Sequence, residues 1–205
     1  MSRRPLDAYY TPDWMVRALL ANVPEIAGTV LEPCVGDGSI ARVLLEATLA
    51  PTVITNDVDA SLAADYHLDA TRPELWASVA RRGPVVDWVV TNPPFAPGVM
   101  VPILLHALSC ARVGVVLLSR RSFLEPTRKR GPVLAGLEPD RALITERHSF
   151  TGNGQSDSVT TEWLVWSRSP LGGRPIVCLS GWKPRKVRTP RTTRPARRTR
   201  KEIPA

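Results

Sequence analysis

The tetrapeptide Asn92-Pro93-Pro94-Phe95 stands directly after an apolar run over residues 85–91. The run predicts a buried strand, and the prolines end it, because proline fixes φ and has no N–H to donate to a neighbouring strand. Asn92 is held extended, since it precedes a proline. The corner presents an amide, carbonyl oxygens and an aromatic ring, which together suit an amino group on a flat heteroaromatic ring. A stiff loop in which Phe95 only packs is the alternative.

A glycine turn precedes this corner in the chain. Residues 29–32 predict a short strand, and Gly36 and Gly38 follow it before a helical stretch over residues 40–49. Glycine adopts positive φ and lets backbone N–H groups approach a ligand without a Cβ in the way. The G-x-G is only part of the dinucleotide-binding pattern. Glu32 disfavours a phosphate, so the turn indicates a cationic or amine-bearing ligand.

An acidic residue follows the second predicted strand. Residues 52–56 predict that strand, and Asp57 lies 21 positions after Gly36. An acid at the tip of the second strand can bind ribose hydroxyls. A turn or a helix cap is the alternative role for Asp57.

Three motifs together resemble a known family. Leu31-Glu32-Pro33-x-x-Gly36-x-Gly38 and Asn92-Pro93-Pro94-Phe95 are similar to motifs of the S-adenosylmethionine-dependent amino-methyltransferases. Tyr9-Tyr10-Thr11-Pro12 resembles the aromatic-Thr-Pro segment that precedes the cofactor motif in one subtype. The resemblance spans roughly residues 9–168. It implies a class I, Rossmann-like methyltransferase fold, the cofactor S-adenosyl-L-methionine, and methylation of an exocyclic amine, most often N6 of adenine in DNA.

The resemblance also implies roles for individual residues. The residues that would line the cofactor, with Asp69 near its adenine, are Tyr10, Thr11, Glu32, Gly36, Gly38, Asp57 and Asp69. The catalytic corner that would hold the target base consists of Asn92, Pro93, Pro94 and Phe95.

The leading hypothesis is an adenine-N6 DNA methyltransferase. The family's DNA enzymes often carry Asp in the place of Asn92, whereas Asn also occurs in enzymes that act on RNA or on protein amides. The alternatives are therefore an RNA amino-methyltransferase, a methyltransferase of protein glutamine amides, and a non-catalytic nucleic-acid-binding module of the same fold.

The chemistry at this corner requires neither a metal nor a covalent nucleophile. The N6 lone pair of adenine is conjugated with the ring, so the amine is a poor nucleophile. Acceptors at Asn92 Oδ1 and the Pro93 carbonyl would bind its two N–H groups, favour a pyramidal nitrogen and stabilise the positive charge that develops there. Alignment of the nitrogen with the methyl donor supplies much of the remaining acceleration.

The order of predicted elements indicates an α/β fold. Strands alternate with helices, which favours a doubly wound, mostly parallel sheet with ligand sites at the carboxyl ends of the strands. Thr11 is expected to cap the first helix, with Pro12 in its first turn. A further helix is expected near residues 99–111. The remaining strands are expected near residues 113–118, 142–146 and 160–167, the last two as an antiparallel edge.

Charge divides the 205 residues into two parts. Residues 1–182 carry 17 basic and 18 acidic residues and are expected to form one methyltransferase domain. Residues 183–205 carry ten Lys or Arg, one acid and four prolines, which predicts a disordered basic tail. Such a tail binds phosphates without reading sequence, so nucleic acid is the expected partner. A solubilising end, or a linear motif for another partner, is the alternative. The basic residues of 120–131 are a second candidate for phosphate contact, or a solvated loop.

Cysteine usage and hydropathy predict a cytoplasmic location. Cys34, Cys110 and Cys178 are odd in number and widely spaced, which disfavours disulfide and zinc frameworks and fits a reducing compartment. The first six residues lack the apolar core of a signal peptide. The longest apolar runs, over residues 99–105 and 113–118, are far shorter than a membrane span.

Overall fold

The computed structural model of the protein describes residues 10–47, 52–128, 130–146 and 160–179. Strands and helices alternate through most of this part of the chain. The helices are α1 (Asp13–Asn22), α2 (Ser39–Ala47), α3 (Pro73–Arg82), α4 (Met100–Cys110) and the short α5 (Gly131–Leu134), with a 3-10 turn at Arg121–Leu124. The strands are β1 (Thr29–Glu32), β2 (Thr52–Thr55), β3 (Trp88–Thr91), β4 (Gly114–Arg120), β5 (Arg141–Thr145), β6 (Thr161–Ser167) and β7 (Ile176–Leu179).

All seven strands belong to one sheet with the order β2-β1-β3-β4-β6-β5-β7. β2, β1, β3 and β4 are parallel, whereas β6 runs antiparallel to both β4 and β5. β7 adds to the outside of β5 in parallel. The prediction of a mostly parallel sheet with an antiparallel pair at its late strands is confirmed. β7 was not predicted from the sequence, and its Ile176 and Cys178 are exposed.

Apolar side chains cover both faces of the sheet, as a doubly wound fold requires. On one face, the buried residues of α1 and α2 pack against Trp88, Val90 and Val116. On the other face, those of α3 and α4 pack against Val89 and Val115. Neighbouring positions of β3 therefore point to opposite cores, which is the alternation expected of a strand buried on both sides.

Two expectations about element boundaries are wrong. β3 begins at Trp88, three residues later than predicted. Val85 is 68% exposed, and the Asp87 side chain bonds to residues of other segments. The Asp87 carboxylate accepts hydrogen bonds from the Thr29 N–H at 2.9 Å and from the Arg112 guanidinium. Thr11 does not cap α1, since the residue that precedes the helix is Pro12 and no side-chain cap forms.

Some predictions concern residues outside the described ranges. Tyr9 and the basic tail over residues 183–205 are among them. Within the described ranges, none of the helices has the length and apolar character needed to cross a membrane.

Candidate active site

A cavity of about 820 Å³ lies at the carboxyl ends of β1, β2 and β3. This volume is within the range of pockets that enclose a small organic ligand. The predicted site residues that line it are Tyr10, Thr11, Glu32, Gly36, Asp57, Asp69, Asn92 and Pro94. Gly38, Pro93 and Phe95 are not among the lining residues. The fold thus brings together side chains from three motifs that are far apart in sequence.

Gly36 lies between an aromatic ring and a carboxylate. Its φ is 55°, and a Cβ at this position would lie 3.4 Å from two ring carbons of Tyr10. Its N–H donates a hydrogen bond of 2.9 Å to Asp57 Oδ2. A side chain at Gly36 would therefore strain the backbone and press on Tyr10, so the turn needs glycine here.

Gly38 shapes the turn and is not among the described residues that line the cavity, so its expected contact with the cofactor stays a prediction. Its φ is 78°, and no atom lies within 4 Å of the position a Cβ would take. Its N–H donates to the Val35 carbonyl, and its carbonyl accepts from the Arg42 N–H. Gly38 therefore joins the turn to the first turn of α2.

Asn56 joins the segments at Pro33 and Leu68 by hydrogen bonds. This role was not predicted from the sequence. The Asn56 side chain is completely buried. Its Nδ2 donates to the carbonyls of Pro33 and Leu68 at 2.8 and 2.9 Å, and its Oδ1 accepts from the Leu68 N–H at 3.0 Å. The sign of this role in the sequence is an amide directly after an apolar strand. The partners of that amide lie 12 and 23 residues away, so the sequence alone does not identify them.

Asp57 follows Asn56 and forms turns, which is one of the two roles that the sequence left open. Its Oδ2 accepts from Gly36 and its Oδ1 accepts from the Asp59 N–H at 3.0 Å, so it organises two turns. It also lines the cavity. Each carboxylate oxygen has two lone pairs, which leaves Asp57 able to accept a further hydrogen bond from a ligand hydroxyl.

Glu32 is a buried carboxyl whose two oxygens make no hydrogen bond of normal geometry within the described residues, although the backbone N–H of Ala41 lies close enough to affect its pKa. Burial raises its pKa well above the ordinary value, and the nearby Asp37 and Asp57 charges raise it further, while the backbone N–H of Ala41 offsets only part of this rise. An unpaired buried carboxyl is costly in the absence of a ligand. A cation or an N–H donor in the cavity would relieve that cost.

Acidic residues dominate the cavity wall. Among the described residues that line the cavity, five are acidic and none is Lys, Arg or His. The Asp69 carboxylate receives two hydrogen bonds from Thr71, and the Thr71 hydroxyl is the largest cause of its lowered pKa. The five acidic residues are Glu32, Asp37, Asp57, Asp59 and Asp69. Such a wall favours a cationic ligand and disfavours a pyrophosphate.

Cys34 also lines the cavity, and its thiol is not activated. Burial raises the pKa of Cys34 to about 12. The thiolate is the nucleophilic form of cysteine, and this residue therefore stays protonated near neutral pH. Further apolar parts of the wall come from residues that were not assigned to the site from the sequence, among them Val58, Leu62, Leu68, Ala70, Val99 and Ile103.

The corner at Asn92 is held by the segment before α1. Asn92 Nδ2 donates a hydrogen bond of 3.0 Å to the hydroxyl of Thr11, which is buried. This bond holds the side-chain amide of Asn92 in place. Pro93 is buried, and Phe95 is half-buried and packs against the apolar cores of both sheet faces. The amide and the aromatic ring thus stand on a rigid edge beside the acidic cavity.

No protein-family model matches the chain, and no curated protein sequence matches it. Solved structures do match. A proposed RNA methyltransferase from Pyrococcus horikoshii is 18% identical with a TM-score of 0.56, over 79% of this chain and 87% of that one. A proposed class I S-adenosylmethionine-dependent methyltransferase from Listeria monocytogenes is 11% identical with a TM-score of 0.53, over 82% of this chain. The modification subunit of a proposed type I restriction enzyme from Vibrio vulnificus is 13% identical with a TM-score of 0.57, over 82% of this chain.

These matches establish the fold. The chain spans 64% of the Listeria protein and 45% of the Vibrio subunit. The order of the strands, the reversed β6 and the helices on both faces are those of the class I, Rossmann-like methyltransferase fold.

We predict that Glu32→Gln stabilises the ligand-free protein increasingly as pH rises. The folded state keeps the Glu32 proton to a higher pH than the unfolded chain, so the wild type loses stability as pH rises from the unfolded towards the folded pKa. That loss is at most about 1.4 kcal/mol per pH unit, and glutamine has no proton to lose. Chemical denaturation from about pH 4 to about pH 8 measures the difference.

Glu25→Gln is the matched control, since it removes a negative charge from an exposed residue. A stability difference between the wild type and Glu32→Gln that stays constant over this pH range would contradict the account of Glu32.

Proposed function

We propose that the chain is an S-adenosylmethionine-dependent methyltransferase that acts on the exocyclic N6 amine of adenine in DNA. One observation carries this proposal: an acid-lined cavity and an Asn-Pro-Pro-Phe corner meet at the same edge of one sheet. The cavity suits a cationic cofactor, and the corner suits an amine on a flat ring. Transfer between the two requires that they lie side by side and in line, and Asn92 and Pro94 line the cavity themselves.

The chemistry of the cavity wall fits the cofactor. S-adenosylmethionine, when bound, supplies a methyl group on a positively charged sulfur. Asp37 offers negative charge for the cation, the buried Glu32 carboxyl offers acceptor oxygens, and the Gly36 turn lets the backbone approach closely beneath Tyr10. Asp57 can accept from a ribose hydroxyl, and Asp69, which also lines the cavity, would lie near the adenine of the cofactor. The match of this chain to a protein described as S-adenosylmethionine-dependent supports the same cofactor.

Asn92 would act on the methyl acceptor. Nδ2 donates to Thr11, and Oδ1 is the acceptor atom that would bind an N–H of the amine. The Pro93 carbonyl would accept the second N–H. Because these acceptors are fixed before the reaction, they stabilise the positive charge that develops on nitrogen without having to reorganise. Phe95 would stack on the ring that bears the amine.

A nucleic-acid base explains Phe95 better than an aliphatic amide does. A glutamine side chain has no ring to stack on Phe95, whereas adenine offers both a ring and an amine. An RNA amino-methyltransferase is the second candidate, since the matched structures include a proposed RNA methyltransferase as well as a restriction-enzyme subunit. The basic residues 183–201 support a nucleic-acid partner for either candidate.

Replacement of Asn92 tests the proposed chemistry. We expect Asn92→Leu to lower methyl transfer at least about 100-fold, because it removes a preorganised acceptor, while cofactor affinity stays within a few-fold. Asn92→Asp keeps an acceptor oxygen and should retain more activity than Asn92→Leu. Transfer of labelled methyl to DNA measures the first quantity, and calorimetry measures the second.

Thr11→Val is the matched control, because it removes the partner of Asn92 Nδ2 and leaves Oδ1 in place. Its loss of activity should be smaller than that of Asn92→Leu. Full activity of Asn92→Leu would refute the role of the amide.

Deletion of residues 183–205 tests the proposed partner. The deletion removes ten cationic side chains, so DNA affinity should fall uniformly across sequences. The salt dependence of binding should become shallower by about 0.9 log units per log unit of salt for each phosphate that the tail neutralises. Cofactor affinity should not change, since no proposed cofactor residue lies beyond Asp69.

Two tail variants separate charge from sequence. A tail with the same residues in shuffled order should bind as the wild type does, and a tail with its Lys and Arg replaced by Gln should behave as the deletion does. Parallel salt slopes for full-length and truncated protein would mean that the tail does not bind phosphate.

A further inference from the structure

The guanidinium of Arg120 lies over the ring of Phe95, with 5.4 Å between Cζ and the ring centroid. Phe95 is the aromatic member of the Asn92 corner, and Arg120 is the last residue of β4. Thr91 at the end of β3 is level with Leu117, so β4 continues three residues past the point where the corner begins. This extension places Arg120 above the corner.

Arg120 differs from neighbouring arginines in what balances its charge. Arg121 pairs with Glu162 at 3.8 Å, and Arg112 pairs with Asp87 at 2.6 Å. Within the described ranges, no carboxylate oxygen lies within 4.0 Å of the Arg120 guanidinium, and its aromatic contact is with Phe95. The face of an aromatic ring attracts a cation weakly compared with an anionic phosphate. A phosphate can therefore compete with the Phe95 ring for the Arg120 guanidinium.

The distance shows that Phe95 cannot hold a base and Arg120 at once in this arrangement. A flat ring between two groups needs about 3.5 Å of contact distance on each side, or roughly 7 Å in total. The observed separation is 5.4 Å. A target base that stacks on this face of Phe95 must therefore displace the guanidinium.

We propose that Arg120 is a positioning residue that covers Phe95 in the absence of substrate and binds a phosphate of the target nucleotide when the base takes its place. This inference rests on the proposed function. Entry of the base and capture of the phosphate are then coupled, because the group displaced by the ring is the group that binds its backbone. A base without a phosphate also displaces Arg120, but no new ion pair forms to offset the lost contact between Arg120 and Phe95.

The test compares Arg120→Gln with the wild type on two probes, deoxyadenosine and a short oligodeoxyadenylate. Deoxyadenosine should bind about two- to fivefold more tightly to Arg120→Gln, since it no longer competes with a cation for the ring. The oligonucleotide should bind at least about fivefold more weakly, and its log–log salt slope should fall by about 0.7, as expected when one phosphate of a single strand is no longer neutralised.

Arg82→Gln is the control for removal of one positive charge, since Arg82 is exposed at the end of α3 that leads into β3. It should leave deoxyadenosine binding unchanged. Arg120→Gln in a Phe95→Leu background should also leave deoxyadenosine binding unchanged. Effects of the same sign on both probes, or none on either, would overturn the proposal.

A measurement without any activity keeps this inference separate from the proposed function. The Arg120 Nε–H resonance should show a ring-current shift in the ligand-free protein that disappears in Phe95→Leu and on addition of the oligonucleotide. Absence of that shift, or its persistence with the oligonucleotide bound, would overturn the role of Arg120. Failure of the wild type to methylate any nucleic acid, with the shift present in the free protein and abolished by the oligonucleotide, would instead overturn the proposed reaction.

Discussion

The buried amide of Asn56 is the interaction on which the candidate site depends. It joins the Pro33 carbonyl after β1 to both backbone groups of Leu68, and its own backbone bonds to Glu32 and Val35. These bonds fix the ends of two strands and the segment that carries Asp69. A buried amide with all its partners is held rigidly, because the loss of any one leaves a polar group unpaired at a cost of about 1–3 kcal/mol. Gly36 and Asp57 are then within hydrogen-bond distance.

The charges of the cavity favour the proposed cationic cofactor and disfavour the phosphates of the proposed nucleic-acid substrate. The cavity holds five acidic residues and attracts a cation, and the same acids would repel a polyanion. Contact with a phosphate backbone must then come from elsewhere. Arg120 beside the corner and the basic residues beyond 182 are the groups proposed to supply it. The amine of the base is the part of a nucleic acid that can lie beside the acidic cavity, since it donates hydrogen bonds and carries no negative charge.

The sequence predicted those features that depend on neighbouring residues. Strands β1, β2 and β6 are apolar runs with clear ends, and the motifs at Glu32 and Asn92 fall at strand ends, where the fold rule places ligand sites. What it missed depends on distant contacts. The Thr11 hydroxyl serves Asn92, which is 81 positions away, instead of capping a helix. Asn56 cannot be told from any other residue at a strand end in the sequence, because its role depends on Leu68, 12 residues away. The sequence around Gly36 and Gly38 likewise does not show that Gly36 lines the cavity whereas Gly38 shapes the turn.

If the acidic cavity and the Asn92 corner act together as proposed, they transfer a methyl group to an adenine amine in DNA. The decisive experiment is reaction of the protein with methyl-labelled S-adenosylmethionine and DNA, RNA or protein, followed by digestion of each to monomers. We expect label in N6-methyladenine from DNA. Label in methylated glutamine, or in none of the three digests while the protein still binds the cofactor, would contradict the proposed reaction.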